Sequence, residues 1–195
     1  MSCRPRRDPH RAPTEQPERP PLRRRRSLVI VNTGDGKGKS TAAFGVVMRG
    51  VARGWRVSVI QFVKSGRWKV GEEQVARRLG VDWAKTGDGF TWLTDDLQRS
   101  RALAAAAWEL AYATIAAGDH QLVVLDELTY PINWGWIDGA EVAAALRDRP
   151  EHVNVIATGR DASAELLAIA DTVTEMRKLR HAYDSGVRAK RGLDF

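Results

Sequence analysis

A glycine-rich stretch at residues 33–41 is the strongest chemical signal in the sequence. It reads Thr-Gly-Asp-Gly-Lys-Gly-Lys-Ser-Thr and stands between a short apolar run and a helical pattern. Glycines let backbone N–H groups converge on phosphate oxygens without side chains in the way. The helix that follows would add the positive end of its dipole. The stretch therefore predicts the phosphate-binding loop of a nucleotide-binding protein.

Two side chains of this loop have expected roles in ligand binding. Lys39 is expected to place a point charge on the phosphates, and Ser40 to offer its hydroxyl to Mg²⁺. Thr33 stands where the usual motif begins with glycine, which predicts a loop shaped differently from that of an ordinary ATPase. A glycine-rich turn without a ligand is the alternative. The ATP-binding residues predicted here are Gly34, Asp35, Gly36, Lys37, Gly38, Lys39, Ser40 and Thr41.

A pair of carboxylates, Asp126 and Glu127, ends the apolar run Leu122–Leu125. In open α/β sheets, ligands bind at the carboxyl edge of the strands. One carboxylate is expected to hold Mg²⁺ directly or through water, together with Ser40, and the other to orient a water or the ribose. The sequence does not decide which carboxylate contacts the metal. A solvated acidic strand end is the alternative interpretation.

Other residues that could do chemistry give weaker signals. The four histidines show neither metal-ligand spacing nor a triad pattern: His10, His120, His152 and His181. Bulky aromatics in two loop stretches indicate either a large apolar ligand or core packing, and packing is the favoured interpretation for each: Phe90 and Trp92, then Tyr130, Trp134 and Trp136.

Alternating strand and helix patterns surround these residues. Strands are predicted at 28–33, 56–63, 81–85, 121–125, 153–157 and 172–176, and helices at 40–53, 72–79, about 94–117, 139–147 and 162–170. Such alternation favours a parallel sheet with helices on both faces. We therefore expect an α/β fold of the P-loop NTPase-like (RecA-like) type, with three layers and a mostly parallel sheet of about six strands.

The charge of the chain is concentrated at its start. Residues 1–26 hold nine arginines against three acidic residues, a net +6 of the total +7, which leaves +1 for residues 27–195. The same segment holds six of the eight prolines and shows no apolar periodicity, so we expect a disordered Arg/Pro-rich tail before one folded domain at 27–195. A nearly neutral domain does not require nucleic acid as a partner.

Composition also bears on compartment. The single cysteine, Cys3, excludes an internal disulfide framework and fits a reducing cytosol. No apolar run approaches the ~20 residues that a membrane-spanning helix needs. A cytoplasmic location without membrane association is therefore expected.

Taken together, the motifs resemble the P-loop-type corrinoid adenosyltransferases, which act on cob(I)alamin or cob(I)yrinic acid a,c-diamide with ATP. The likeness covers about residues 27–195 and is carried, in the family's order, by residues 33–45, 61–64, 89–92, 123–130, 158–160, 170–177, 181–187 and 192–195. The phosphate loop alone would be unspecific, whereas the combination is specific.

The resemblance implies an enzyme that transfers the 5′-deoxyadenosyl group of ATP to the Co(I) centre of a corrinoid and releases tripolyphosphate, in adenosylcobalamin biosynthesis or salvage. Co(I) is itself the nucleophile, which suits a sequence without an obvious catalytic nucleophile or base. Lys39 would act catalytically on the leaving triphosphate. Glu127 and Arg160 would join the ATP-binding residues. The ATP would lie in a reversed sense along the loop, exposing its 5′ carbon.

The family resemblance also implies a corrinoid site and partners. Phe90 and Trp92 would lie beneath the corrin ring and act catalytically by removing the lower axial ligand from Co(II), which eases its reduction. Mg²⁺ or Mn²⁺, a homodimer and a flavodoxin-like or flavin-dependent reductant are expected. Two other functions remain open, a RecA-like nucleic-acid-dependent ATPase and a non-catalytic corrinoid or nucleotide carrier.

Overall fold

The computed structural model describes residues 21–65, 71–87 and 97–194. Its strands are β1 Val29–Thr33, β2 Val57–Ser65, β3 Asp82–Gly87, β4 Leu122–Asp126, β5 Asn154–Thr158 and β6 Thr172–Glu175. Its helices are α1 Lys39–Ala52, α2 Gly71–Arg78, α3 Leu97–Ala117, α4 Thr129–Asn133, α5 Gly139–Arg147 and α6 Ala164–Ile169, followed by a 3₁₀ helix at Ala182–Ser185.

The six strands form one sheet in the order β3-β2-β4-β5-β1-β6, and every pair in it is parallel. The carboxyl ends of β1, β2, β4 and β5 therefore meet at one edge. Successive strand residues alternate between two apolar clusters, one on each face of the sheet. One cluster includes side chains of α3, α5 and α6, and the other includes side chains of α1 and α2. The predicted three-layer α/β fold is confirmed.

Local signals explain where the helices begin. The side chain of Asp138 precedes α5 and accepts a hydrogen bond from the backbone N–H of Ala140 at 2.8 Å. The side chain of Ser163 precedes α6 and accepts one from the backbone N–H of Leu166 at 3.4 Å. Gly38, which precedes α1, has φ of 116°, a conformation that favours glycine. Helix α4 was absent from the sequence prediction, because five residues that include Pro131 show no helical period.

Within the described residues, no helix combines the length and apolar character needed to cross a membrane. Residues 1–20 lie outside the described part of the chain, and so do Phe90, Trp92 and the expected start of α3 at residue 94. Two ion pairs join the end of the tail to the domain, Arg25 with Asp171 at 3.0 Å and Arg26 with Glu151 at 2.7 Å.

Candidate active site

The glycine-rich loop connects β1 to α1 at the carboxyl edge of the sheet. Its lysine folds back on the loop, so that Lys39 Nζ donates hydrogen bonds to the carbonyl oxygens of Gly34 and Gly36 at 2.7 Å each. Burial of the ammonium, and then the charge of Arg160, lowers the pKa of Lys39 below its usual value. Arg160 in turn lies 3.8 Å from Asp35. The loop thus presents clustered cationic groups around a backbone cradle, as phosphate binding requires.

Asp126 lies beneath the loop and is fully buried. Its carboxylate accepts hydrogen bonds from the Gln61 amide at 2.8 Å, from the Thr158 hydroxyl at 2.8 Å and from the Ser40 hydroxyl. Burial alone would raise the pKa of Asp126, but the Lys64 ammonium and these hydrogen bonds lower it. The structure therefore joins Asp126 to Ser40, which the sequence predicted as two members of one metal site.

Glu127 follows at the end of β4 in an unusual backbone conformation, with φ of 64°. Its N–H donates to the Thr158 hydroxyl at 3.0 Å, which ties the turn to β5. Burial, and then the charge of Asp126, raises the pKa of Glu127 to about 7. A glutamate whose backbone is held in the left-handed region costs free energy, and such strained residues are typical of functional sites.

Lys64, at the end of β2, supplies the counter-charge for both carboxylates. Its Nζ lies 3.3 Å from Asp126 Oδ2 and 3.9 Å from Glu127 Oε1. Burial alone would lower the pKa of Lys64, but the two carboxylates outweigh burial and the pKa is raised. Lys64 was not among the predicted site residues, although a charged residue that ends a buried strand at this edge was a usable signal.

Lys39, Lys64, Glu127 and Arg160 line a cavity of about 440 Å³, whereas Asp126 is fully buried and does not line it. Its walls include the loop from Asp35 to Thr41, together with Glu127 and Arg160, so the predicted ATP-binding residues other than Gly34 meet in one place. Other lining residues were not among the predicted site residues, although Tyr130 was noted as a candidate ligand contact and several of the rest lie in the segments that carry the resemblance: Phe44, Lys64, Glu72, Tyr130, Lys178, His181, Tyr183, Asp184 and Asp194.

The chain after β6 forms one wall of this cavity. The N–H of Gly36 donates to the carbonyl of Met176 at 2.5 Å, and Lys37 pairs with Asp194 at 2.5 Å. The glycines of the loop permit this approach, since a Cβ at Gly34 or Gly36 would lie 2.6 Å from the Met176 oxygen. The phosphate loop and the C-terminal stretch are therefore packed as one unit.

Comparison with known proteins identifies the family of this chain. Residues 25–195 match the family model of the ATP:corrinoid adenosyltransferases BtuR/CobO/CobP. The chain belongs to this family. The resemblance seen in the sequence, and the transferase class that it implied, are thereby confirmed.

Three adenosyltransferase relatives illustrate the similarity. The chain is 42% identical over 170 residues to the corrinoid adenosyltransferase CobA of Salmonella typhimurium, covering 87% of this chain and 86% of the relative. It is 41% identical to the corrinoid adenosyltransferase of Escherichia coli K12 with the same coverage. Over 172 residues it is 42% identical to that of Pseudomonas aeruginosa, covering 87% of this chain and 84% of the relative.

In this adenosyltransferase, the aromatic residues after the carboxylate pair have different surroundings. Tyr130 stacks on Trp134 with ring centroids 5.6 Å apart, and Trp134 contacts Trp136 at 4.7 Å. Trp136 packs against the main core, as the packing interpretation expected, whereas Trp134 is 41% exposed and Tyr130 lines the cavity. The other predicted aromatic pair, Phe90 and Trp92, lies outside the described residues.

Proposed function

We propose that this adenosyltransferase moves the 5′-deoxyadenosyl group of ATP to the Co(I) centre of a corrinoid substrate and releases tripolyphosphate. Family membership over residues 25–195, together with a cavity in which the predicted ATP-binding residues other than Gly34 meet, supports this proposal. In the reaction a cobalt–carbon bond forms at the 5′ carbon while the bond from that carbon to the phosphate oxygen breaks. The leaving oxygen keeps the electron pair.

The chain's own contribution is to bind, orient and neutralise. The loop N–H groups and Lys39 are placed to stabilise negative charge that grows on the leaving triphosphate. Lys39 reaches that role by exchanging its bonds to the Gly34 and Gly36 carbonyls for bonds to phosphate oxygens. Because the nucleophile is the cobalt of the substrate, no protein side chain needs to act as a general base.

The donor set at the carboxylate pair fits Mg²⁺ or Mn²⁺. Ser40, Asp126 and Glu127 offer only oxygen donors, and the Lys64 ammonium already stands beside the two carboxylates as a cation. The remaining ligands of such an ion would come from phosphates and water. When bound, the ion would neutralise charge on the triphosphate.

The corrinoid side of the reaction is assigned to Phe90 and Trp92. Their apolar rings would replace the lower axial ligand of Co(II), which makes the metal easier to reduce. The electron would come from a separate flavodoxin-like or flavin-dependent reductant in the cytoplasm. We further propose that the enzyme works as a homodimer, without nucleic acid or membrane as a partner.

The inorganic product tests this function directly. The protein is incubated with ATP, Mg²⁺ and chemically reduced cobalamin, while the corrin spectrum and the phosphorus NMR spectrum are recorded. We expect the adenosylated corrinoid and tripolyphosphate to appear in equal amounts. Stoichiometric ADP and phosphate would instead mean attack at phosphorus and an ordinary ATPase.

A further inference from the structure

Lys64 is the cation that lies within 4 Å of both members of the carboxylate pair before any ligand arrives. Among the described residues, no other cationic side chain forms an ion pair with either Asp126 or Glu127. The other cations of the cavity make their direct contacts elsewhere: Lys37 with Asp194, Lys39 with its own loop, Arg160 with Asp35 and Lys178 with Asp184. Lys39 and Arg160 also act on Glu127, but at longer range than Lys64. The side chain of Lys64 is only 22% exposed, and a third carboxylate, Glu72, also acts on it.

This arrangement has opposite effects on two ligands. A bare divalent cation that approached Asp126 and Glu127 would meet an ammonium already bound to them and unable to diffuse away. A metal–ATP complex, in contrast, is anionic overall, so the same ammonium attracts it. At separations of about 4 Å in a partly buried site, one unit charge changes an equilibrium by more than a factor of ten.

We propose that Lys64 is a tethered counter-ion that makes this site select the metal–nucleotide complex over the free metal ion. The inference rests on the proposed function, which places the metal at the carboxylate pair. It assigns Lys64 a positioning role, because the ammonium acts through Asp126 and Glu127 and on the charge of the arriving complex.

Binding of Mn²⁺, followed by electron paramagnetic resonance, tests the proposal without corrinoid and without turnover. In the absence of nucleotide, we expect Lys64→Met to bind Mn²⁺ at least about tenfold more tightly than the wild-type protein. Lys64→Arg keeps the positive charge, so its affinity for Mn²⁺ should stay within about threefold of that of the wild-type protein. In the presence of ATP the order should reverse, with Lys64→Met binding the Mn²⁺–ATP complex at least about threefold more weakly.

Lys178→Met is the matched control, because it removes one positive charge from the same cavity without touching the carboxylate pair. An equal rise in Mn²⁺ affinity in this variant would overturn the proposal, as would unchanged affinity in Lys64→Met or tighter binding of the Mn²⁺–ATP complex by it. If Lys64→Met does not fold, Lys64→Gln makes the same comparison, since its amide still donates a hydrogen bond to Asp126. If the Mn²⁺ affinities contradict the role of Lys64, the proposed adenosyl transfer is not affected. If no tripolyphosphate is released, the proposed function is contradicted, and the Mn²⁺ affinities still test the role of Lys64.

Discussion

At the scale of single residues, Lys39 can be removed with little cost to the fold. Its ammonium contacts only carbonyls of its own loop within the described hydrogen bonds. We expect Lys39→Ala to lower kcat/KM for adenosyl transfer more than tenfold while the melting temperature stays near that of wild type. Retention of more than a tenth of wild-type kcat/KM, a loss under about 1.4 kcal/mol, would contradict the role on the leaving group.

Glu127 gives the protein free of metal and nucleotide a pH-dependent stability. Its pKa is raised from 4.5 to about 7 in the folded state, so between these values the folded protein binds a proton that the unfolded chain has lost. The free energy of unfolding should therefore fall as the pH rises from about 4.5 to about 7. Glu127→Gln has no titrating group at this position and lacks this pH dependence. The stability of the variant relative to wild type should therefore increase as the pH rises from about 4.5 to about 7.

Urea unfolding at a series of pH values measures this difference. The gap in unfolding free energy between Glu127→Gln and wild type should widen up to about pH 7 and stay constant above about pH 8. A gap of the same size at about pH 5 and about pH 8 would show that the carboxyl group is not held protonated by the fold.

Phe90 and Trp92 are expected to act at the reduction step. With a flavodoxin-type reductant, Phe90→Ala and Trp92→Ala should both lose most of their activity, because a lower axial ligand would return to Co(II). With cobalamin already reduced to Co(I), most activity should return, since that step is bypassed. Equal losses in the two assays would make both side chains general packing or binding residues.

At the scale of elements, contact between the phosphate loop and the chain after β6 can be tested with two glycines. Gly36→Ala would drive a Cβ to 2.6 Å from the Met176 oxygen, so we expect weaker ATP binding and a loss of more than about 1 kcal/mol of stability. Gly45→Ala is the control, because nothing lies within 4 Å of its Cβ position on α1, and it should stabilise by about 0.5–1 kcal/mol.

Calorimetric ATP titration and thermal unfolding follow both effects. Equal stability of Gly36→Ala and wild type would mean that the C-terminal stretch moves away freely and is not a fixed wall of the cavity.

The elements differed in how far the sequence predicted them. Strands β1 and β4 were predictable because buried parallel strands are continuous apolar runs, and that run led to Asp126, which ends β4, and to Glu127, which follows it. Helix α4 was missed because it is short and contains a proline. The segment after β6 was noted in the sequence for its family motifs, but its packing against the phosphate loop was not predicted. It has no regular hydrophobic period, and only tertiary contacts bring Asp194 to Lys37.

At the scale of the whole molecule, we propose that the tail at 1–26 is separable from the domain. Its described end is joined to the domain by the ion pairs of Arg25 and Arg26. Both arginines are exposed, and the fully exposed pair of Arg26 with Glu151 is expected to contribute about 0–1 kcal/mol. A chain that lacks residues 1–26 should melt within a few degrees of the full chain and lose any salt-sensitive retention on DNA. ATP-dependent DNA binding by the shortened chain would instead favour the nucleic-acid-dependent ATPase.

The strand order also has a consequence for how the protein is made. Strand β1, from which the phosphate loop extends, pairs only with β5 and β6, whose residues come more than 120 positions later. Synthesis proceeds from the N-terminus, so β1 leaves the ribosome long before either neighbour exists. Pairing across such a separation is slow, because a long loop must close first. We therefore expect nucleotide binding only after β5 and β6 have been synthesised, since a nascent chain that stops before β5 holds its phosphate loop on an unpaired strand.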